Sequence, residues 1–103
     1  MFPRGGLTDH LVALAHPVRL RIVEQLAAGE SSVTELVARL RVAQPLISWH
    51  LHKLRMGGVV RTRREGRQVY CSLDVDSIRA RQADLHRLLG LEARSRFLNE
   101  VNK

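Results

Sequence analysis

Six side chains able to hydrogen-bond or stack lie along residues 44–54 at spacings that place them on one face of a helix. They are Gln44, Pro45, Ser48, Trp49, His52 and Lys53. Gln can pair bidentately with adenine, Ser can bond either kind of base edge, and Trp or Pro can contact a thymine methyl. Ile47, Leu51 and Leu54 recur at helical spacing and predict the opposite, buried face. The stretch therefore predicts a helix over 44–56 with base-reading chemistry outside, although Trp49 also fits a partly buried packing role.

Four arginines surround a tight turn that follows this helix. They are Arg61, Arg63, Arg64 and Arg67. Residues 59–64 predict a strand, residues 65–66 a turn and residues 67–73 the returning strand. A hairpin tip of this charge can lie on phosphates or enter a minor groove. We predict a DNA-contacting wing over 61–70, and the alternative is an edge ribbon whose charge blocks edge pairing.

The whole chain is strongly basic, with a formal net charge of +7 at pH 7. Lys and Arg together number 17, and all of them except Lys53 and Lys103 are arginine. Because the guanidinium fork matches phosphate and guanine edges, this balance favours a nucleic-acid partner over simple solubility. The sequence contains no Gly-rich phosphate loop, no spacing suggests a Ser-His-Asp set, and the carboxylates resemble helix caps and surface charges. We therefore predict that the chain is not an enzyme.

The length of 103 residues is that of a single domain. Residues 1–6 are predicted to be a flexible tail and residues 7–103 one winged helix-turn-helix domain. Apolar periodicity, a capping box at Ser32 and Glu35 and the turn signals predict the element order α-α-α-α-β-β-α. This fold class is mainly α with a small β-hairpin. The predicted helices cover about 7–15, 17–28, 32–41, 44–56 and 75–99.

The first and last predicted helices carry more leucine than so small a core needs. The surplus residues are Leu7, Leu11, Leu14, Leu85, Leu88 and Leu89. A lone domain of this size buries only part of its surface and gains from association. The surplus predicts a partner subunit that buries these two helices, at about 7–15 and 75–99.

Four phrases of the chain, in this order, resemble the arsenic-repressor (ArsR, SmtB-like) family of bacterial winged helix-turn-helix regulators. The phrases are LAHPVRLRIVEQL at 14–26, SVTELVARL at 32–40, QPLISWHLHKL at 44–54 and GVVRTRREGRQVYCSL at 58–73. The resemblance implies a homodimer joined by its first and last helices, whose recognition helices read successive major grooves of an imperfect palindrome. It also implies a transcriptional repressor that an inducer, often a metal ion, releases from double-stranded DNA.

The resemblance further implies two kinds of metal site, and the sequence departs from both. Residues 33–36, where thiolate sensors of the family carry cysteine, contain none. Where another subgroup has Asp-x-His and a later His pair on the last helix, residues 74–76 are Asp-Val-Asp, followed by Arg87 and Gly90. We predict no standard metal site and no required cofactor. The alternative is a nonstandard zinc or nickel site, assembled across a dimer from His10, Asp74, Asp76, Asp84 and His86.

The single cysteine, Cys71, excludes an intramolecular disulfide and a Cys-x-x-Cys metal pair. Its place in an apolar alternation predicts that it is buried as a small hydrophobic residue. The alternative is redox sensing, which needs an exposed thiolate whose pKa the neighbouring arginines could lower.

No stretch resembles a signal peptide or reaches the roughly 18 apolar residues of a membrane span. We therefore expect a cytoplasmic bacterial protein, nucleoid-associated when bound to DNA, with no membrane partner. Because the metal motifs are missing, one alternative is a partner-dependent regulator whose effector is sensed by a second protein. Another is a winged helix used for protein contacts alone, since fold does not fix function.

Overall fold

The computed structural model describes residues 6–91 and confirms a mainly helical fold with a small antiparallel sheet. Most of the predicted tail and everything after Leu91 lie outside the described residues. In chain order the elements are α1 (Leu7–Leu14), α2 (Pro17–Ala27), β1 (Ser31–Ser32), α3 (Val33–Leu40), α4 (Gln44–Met56), β2 (Val60–Glu65), β3 (Gln68–Leu73) and α5 (Val75–Leu88). None of the described helices is both long and apolar enough to cross a bilayer.

Side-chain caps begin three of the helices where the sequence predicts them. His16 precedes Pro17 and its Nδ1 accepts from the backbone N–H of Val18 at 3.1 Å. Ser32 and Glu35 form the predicted capping box, in which each side chain bonds the other residue's backbone N–H. Asp74 caps α5 with a single bond, in which its Oδ1 accepts from the backbone N–H of Ser77 at 3.3 Å. These caps satisfy N–H groups that would otherwise lack partners and so fix where α2, α3 and α5 start.

The hydrophobic core lies between α2, α3, α4 and one face of the sheet. Its completely buried members come from every one of these elements: Ile22, Leu36, Ile47, Leu54, Val59, Val60 and Cys71. The predicted inner face of α4 is confirmed, since Ile47, Leu51 and Leu54 are all buried. Packing one face of α4 into this core leaves its other face to solvent.

The sheet has three strands in the order β1-β3-β2, all antiparallel. The β2–β3 hairpin is the predicted wing, and it turns at Gly66 with a φ of +61° that glycine adopts without strain. The sequence reasoning missed β1, whose two residues pair Ser31 with Cys71 and Ser32 with Tyr70. A two-residue strand has no periodicity, so only the paired structure reveals it.

The last helix is shorter than predicted. Helix α5 ends at Leu88, and Gly90 has a φ of +68°. The prediction of one unbroken helix over 75–99 is therefore wrong at residues 89–90. Glycine in the left-handed region is the common stop of an α-helix, and it overrides the leucine periodicity that continues through it.

Helix α1 crosses the end of α4 at very close range. Gly57 lies at the crossing, and a Cβ built there would stand 2.4 Å from the Cβ of Ala13 and 2.9 Å from the carbonyl oxygen of Asp9. The buried His10 donates from Nδ1 to the carbonyl oxygen of Gly57 at 3.0 Å. The inner face of α1 is thus His10 and Ala13, which leaves the α1 leucines at least partly exposed.

We expect Gly57→Ala to destabilise the protein by about 1–3 kcal/mol, because the added methyl group forces α1 off α4. The measurement is urea unfolding at equal protein concentrations. Gly66→Asn is the matched control, since nothing lies within 4 Å of a Cβ there and Asn tolerates a positive φ. Equal midpoints for Gly57→Ala and the control would contradict the close crossing.

Candidate nucleic-acid interface

The outer face of α4 presents all six predicted side chains to solvent. Gln44, Pro45, Ser48, Trp49, His52 and Lys53 are each exposed. Trp49 has 49% of its surface exposed, so half of its ring is packed and half is available. A helix with one face in the core and a polar, aromatic outer face has the geometry that major-groove reading requires.

The turn before α4 sets the angle between α3 and α4. Arg41 ends α3 in the left-handed conformation, with a φ of 56°. Arg21 of α2 donates from Nη2 to the last α3 carbonyl, that of Leu40, at 3.1 Å. Leu36 of α3 and Ile47 of α4 are both completely buried in the shared core. These contacts hold α3 and α4 as a fixed pair.

A buried polar cluster supports α4 from behind. Arg19 of α2 donates from Nε to Nδ1 of His50 at 3.2 Å, and only 8% and 4% of the two residues is exposed. The His16 ring lies 4.5 Å from the His50 ring, and the Trp49 ring lies 5.0 Å from it on the other side. Burial, His16 and Arg19 all lower the pKa of His50. His50 is therefore neutral at pH 7 and is part of the support of α4, not of its reading face.

A groove of about 290 Å³ separates α4 from the wing. Its walls combine polar and basic side chains of both elements: Ser48, His52, Arg55, Thr62, Arg63 and Arg64. Arg55 was not among the predicted contacts. It is exposed and donates to Thr62 Oγ1 at 3.4 Å, so it links α4 to the wing. The helical spacing from His52 to Arg55 is the sequence signal that could have found it.

All four wing arginines, Arg61, Arg63, Arg64 and Arg67, are exposed, as a phosphate contact requires. Arg63 differs. Its guanidinium pairs with Glu30 at 2.7 Å and with Glu65 at 2.6 Å, and it lies 4.5 Å from the centre of the Tyr70 ring. The DNA contact predicted for Arg63 stays a prediction, and in the single chain its guanidinium is paired with two carboxylates. Two carboxylates already neutralise it, and its contact with Glu30 ties the wing to the segment before β1.

The candidate metal ligands do not assemble in the described part of the chain. No group of three His, Cys, Asp or Glu residues there could hold an ion. Asp74 caps α5, and Asp84 pairs with both Arg81 and Arg87. His10 is buried and bonded to the Gly57 carbonyl. The side chains of Asp74, Asp84 and His10 already have hydrogen-bond or ion-pair partners, and those of Asp84 are cationic. These residues therefore do not fit a divalent metal within one chain.

Cys71 is completely buried in the middle of β3, as the apolar alternation predicts. Burial raises the pKa of its thiol to about 11. The suggestion that neighbouring arginines lower this pKa is therefore wrong, because desolvation of the thiolate is the larger effect. A buried, protonated thiol does not have the reactivity of a redox sensor.

A mostly apolar groove lies between α1 and α5, with His10, Arg81 and Gln82 as its polar lining residues. Four of the six leucines predicted for a dimer interface, Leu7, Leu11, Leu14 and Leu85, line it together with Val59 and Ile78. The other two, Leu88 and Leu89, are 71% and 58% exposed at the end of α5. All six thus remain available to a partner in the single chain.

The model of one family matches the helix-turn-helix and the first half of the wing. It is described as "bacterial regulatory protein, arsR family" and covers residues 16–62. The biofilm growth-associated repressor of Agrobacterium fabrum is 48% identical over 66 residues, which are 64% of this chain and 56% of that protein. The chain spans about half the length of the curated repressors it matches.

Two solved structures are similar over most of their length. HlyU of Vibrio cholerae, a transcriptional activator by name, is 40% identical with a TM-score of 0.65, and the match covers 79% of this chain and 88% of HlyU. The homodimeric winged helix-turn-helix DNA-binding domain of a Mycobacterium bovis protein is 30% identical with a TM-score of 0.66. That match covers 82% of this chain and 78% of the other.

We expect Arg64→Ala to weaken binding to every DNA duplex and to lower the salt slope of the affinity by about 1 for each copy bound, because one phosphate contact is lost. We expect Arg63→Ala to leave the slope unchanged, since Arg63 is already paired with carboxylates. The measurement is fluorescence anisotropy at several salt concentrations. Equal losses of slope in the two variants would contradict the separate roles.

Proposed function

The chain belongs to the arsR family of bacterial regulatory proteins, and we propose that it is a sequence-specific DNA-binding transcriptional regulator that acts as a homodimer. The observation that carries the proposal is the exposed outer face of α4 beside a wing with four exposed arginines. In this arrangement α4 lies in the major groove and reads base edges, while the wing contacts phosphates or the minor groove. The chain acts as a regulator, not as an enzyme.

We propose repression as the regulatory outcome. Similar proteins are named both as repressors and as an activator. Repression follows from the site itself, because a protein on promoter DNA excludes polymerase without needing a contact to it, and no additional activating surface is required. The site of action is the bacterial chromosome, in the cytoplasm.

The proposed dimer joins two copies through the apolar groove between α1 and α5. The groove between α1 and α5 and the exposed Leu88 and Leu89 supply the apolar side chains of this interface. A two-fold dimer would present two α4 helices, which matches an imperfect palindrome with half-sites about one helical turn apart. The homodimeric Mycobacterium bovis domain supports this interpretation.

We propose that the DNA-binding form requires no metal. The support is that Asp74, Asp84 and His10 have other roles in the chain, as described above. The effector is then an organic ligand, or a signal that a second regulatory protein senses and passes on to this chain. The missing metal ligands favour the second regulatory protein as the alternative. Its co-purification with the full chain from the native host would test this alternative.

The direct test is fluorescence anisotropy on the protein's own promoter region against a scrambled duplex, with a chelator present throughout. We expect selective binding that weakens steeply with salt, by about 10³–10⁵-fold between about 50 and about 200 mM for some 6–10 phosphate contacts. Trp49→Ala should reduce selectivity by about 1–3 kcal/mol for the lost base contact. Equal binding to both duplexes, or no effect of Trp49→Ala, would contradict the proposed reading face.

The dimer has its own test in Leu85→Glu, which places a charge in the apolar groove. Sedimentation should show a monomer, because burial of an unpaired carboxylate against a second copy costs several kcal/mol. Val75→Glu on the same helix is the matched control, since Val75 is exposed at the first turn and outside the groove. An intact dimer of Leu85→Glu would contradict the interface.

A further inference from the structure

The cluster behind α4 uses its two imidazoles as hydrogen-bond acceptors. Nδ1 of His50 accepts from Arg19, and Nδ1 of His16 accepts from the backbone N–H of Val18. A protonated imidazole carries hydrogen on both nitrogens and accepts nothing. Each of these bonds therefore exists only while its histidine is neutral.

The same guanidinium also reaches α1 and Trp49. Arg19 donates from Nη1 to the carbonyl oxygens of Val12 at 3.5 Å and Ala13 at 3.3 Å, where α1 ends. Its Cζ lies 5.3 Å from the centre of the Trp49 ring, and Nζ of Lys53 lies 5.6 Å from that centre. The half of Trp49 that is not exposed is thus packed among Arg19, His50 and Lys53.

Protonation would place like charges side by side in this cluster. The His16 and His50 rings are 4.5 Å apart and Arg19 is already charged, so an imidazolium at His50 lies directly against a guanidinium and close to a second titratable ring. The other ionisable groups nearby are Asp9 of α1 and His52 and Lys53 of α4, which line the hollow beside Arg19. Asp9 supplies the only carboxylate of that hollow among the described residues.

We propose that Arg19 and His50 are positioning residues for DNA reading, and that sequence-selective binding is lost on acidification because His50 must be neutral to hold Arg19 against Trp49. The inference rests on the proposed function. It reverses the usual sign for a basic protein, whose affinity for a polyanion rises as histidines gain charge.

The direction of the pKa shift agrees with this sign. The pKa of His50 is lowered from its ordinary value of 6.5, first by burial and then by His16 and Arg19. The unfolded chain therefore takes up the proton at a higher pH than the folded chain does. The stabilisation by neutral His50 is complete above about pH 6.5 and declines as the pH falls below that value towards the folded pKa.

The test measures affinity for the promoter duplex and for a scrambled duplex from about pH 7.5 to about pH 5.5 at one salt concentration. For the wild type, the ratio of the two affinities should fall by up to about tenfold per pH unit for each proton that binding must release. His50→Asn should remove this dependence, because its amide oxygen accepts from Arg19 near the position of Nδ1 and does not titrate. His52→Asn, on the exposed face of the same helix, is the matched control and should keep the fall in selectivity.

A second variant and a second measurement guard against misfolding of His50→Asn. In His16→Asn the cap on α2 is retained, because Asn is a favoured N-cap, and the midpoint of the fall should move to higher pH, because His16 no longer lowers the pKa of His50. The chain has a single tryptophan. Its emission should therefore titrate with the His50 cluster in the absence of DNA, and melting at each pH separates this change from global unfolding.

The outcomes separate the inference from the proposed function. Selectivity that is constant or rises on acidification, or that falls equally in His50→Asn, would overturn the inference and leave the regulator intact. A protein with no selectivity at any pH would contradict the proposed function. In that case the cluster would still be a pH-sensitive support of α4 if Trp49 emission titrates in the wild type and not in His50→Asn. If Trp49 emission does not titrate in the wild type, the pH-sensitive support is contradicted as well.

Discussion

The arrangement of α1, α2 and α4 depends on the hydrogen bonds that the buried guanidinium of Arg19 donates. From α2 it bonds the end of α1 through two carbonyl oxygens and the middle of α4 through His50. Its positive charge is held under the reading helix, where an unpaired donor would cost free energy, so the acceptors around it must stay in place. A leucine at this position could pack against the same helices, but it would not fix their relative rotation.

Helix α1 connects the two proposed surfaces of the molecule. On one side it packs at contact distance on Gly57 and the end of α4, and on the other its leucines line the groove with α5. A partner that binds the groove therefore contacts α1, and Arg19 links the end of α1 to α4. In the proposed dimer this closely packed helix would connect the interface to the reading helix, whereas the contact of Arg63 with Glu30 holds the wing separately.

The elements with strong local signals could be predicted from the sequence. The capping box, the Pro17 start, the α4 periodicity and the Glu65-Gly66 turn each depend on neighbouring residues, and each appears where expected. The outer face of α4 follows from the same periodicity. The failures arise where distant residues or a single backbone angle decide the outcome.

Four particular cases illustrate this limit. Strand β1 exists only because Ser31 meets Cys71 across 40 positions of sequence. Gly90 stops α5 although the leucine pattern continues. In the sequence Arg63 and Arg64 are both arginines of a predicted basic hairpin and cannot be told apart. Only the fold brings Glu30 next to Arg63. The Arg19–His50 bond joins residues 31 positions apart, and neither residue by itself indicates it.

A double-mutant cycle on Arg19 and His50 tests the central role of this contact most directly. The free energies of unfolding of Arg19→Met, His50→Leu and the double variant are compared with that of the wild type at about pH 7.5, where His50 is neutral. The account predicts a coupling of about 1–3 kcal/mol, with the double variant less destabilised than the sum of the single ones. Effects that add to within about 0.5 kcal/mol would show that the two residues act independently and would contradict it.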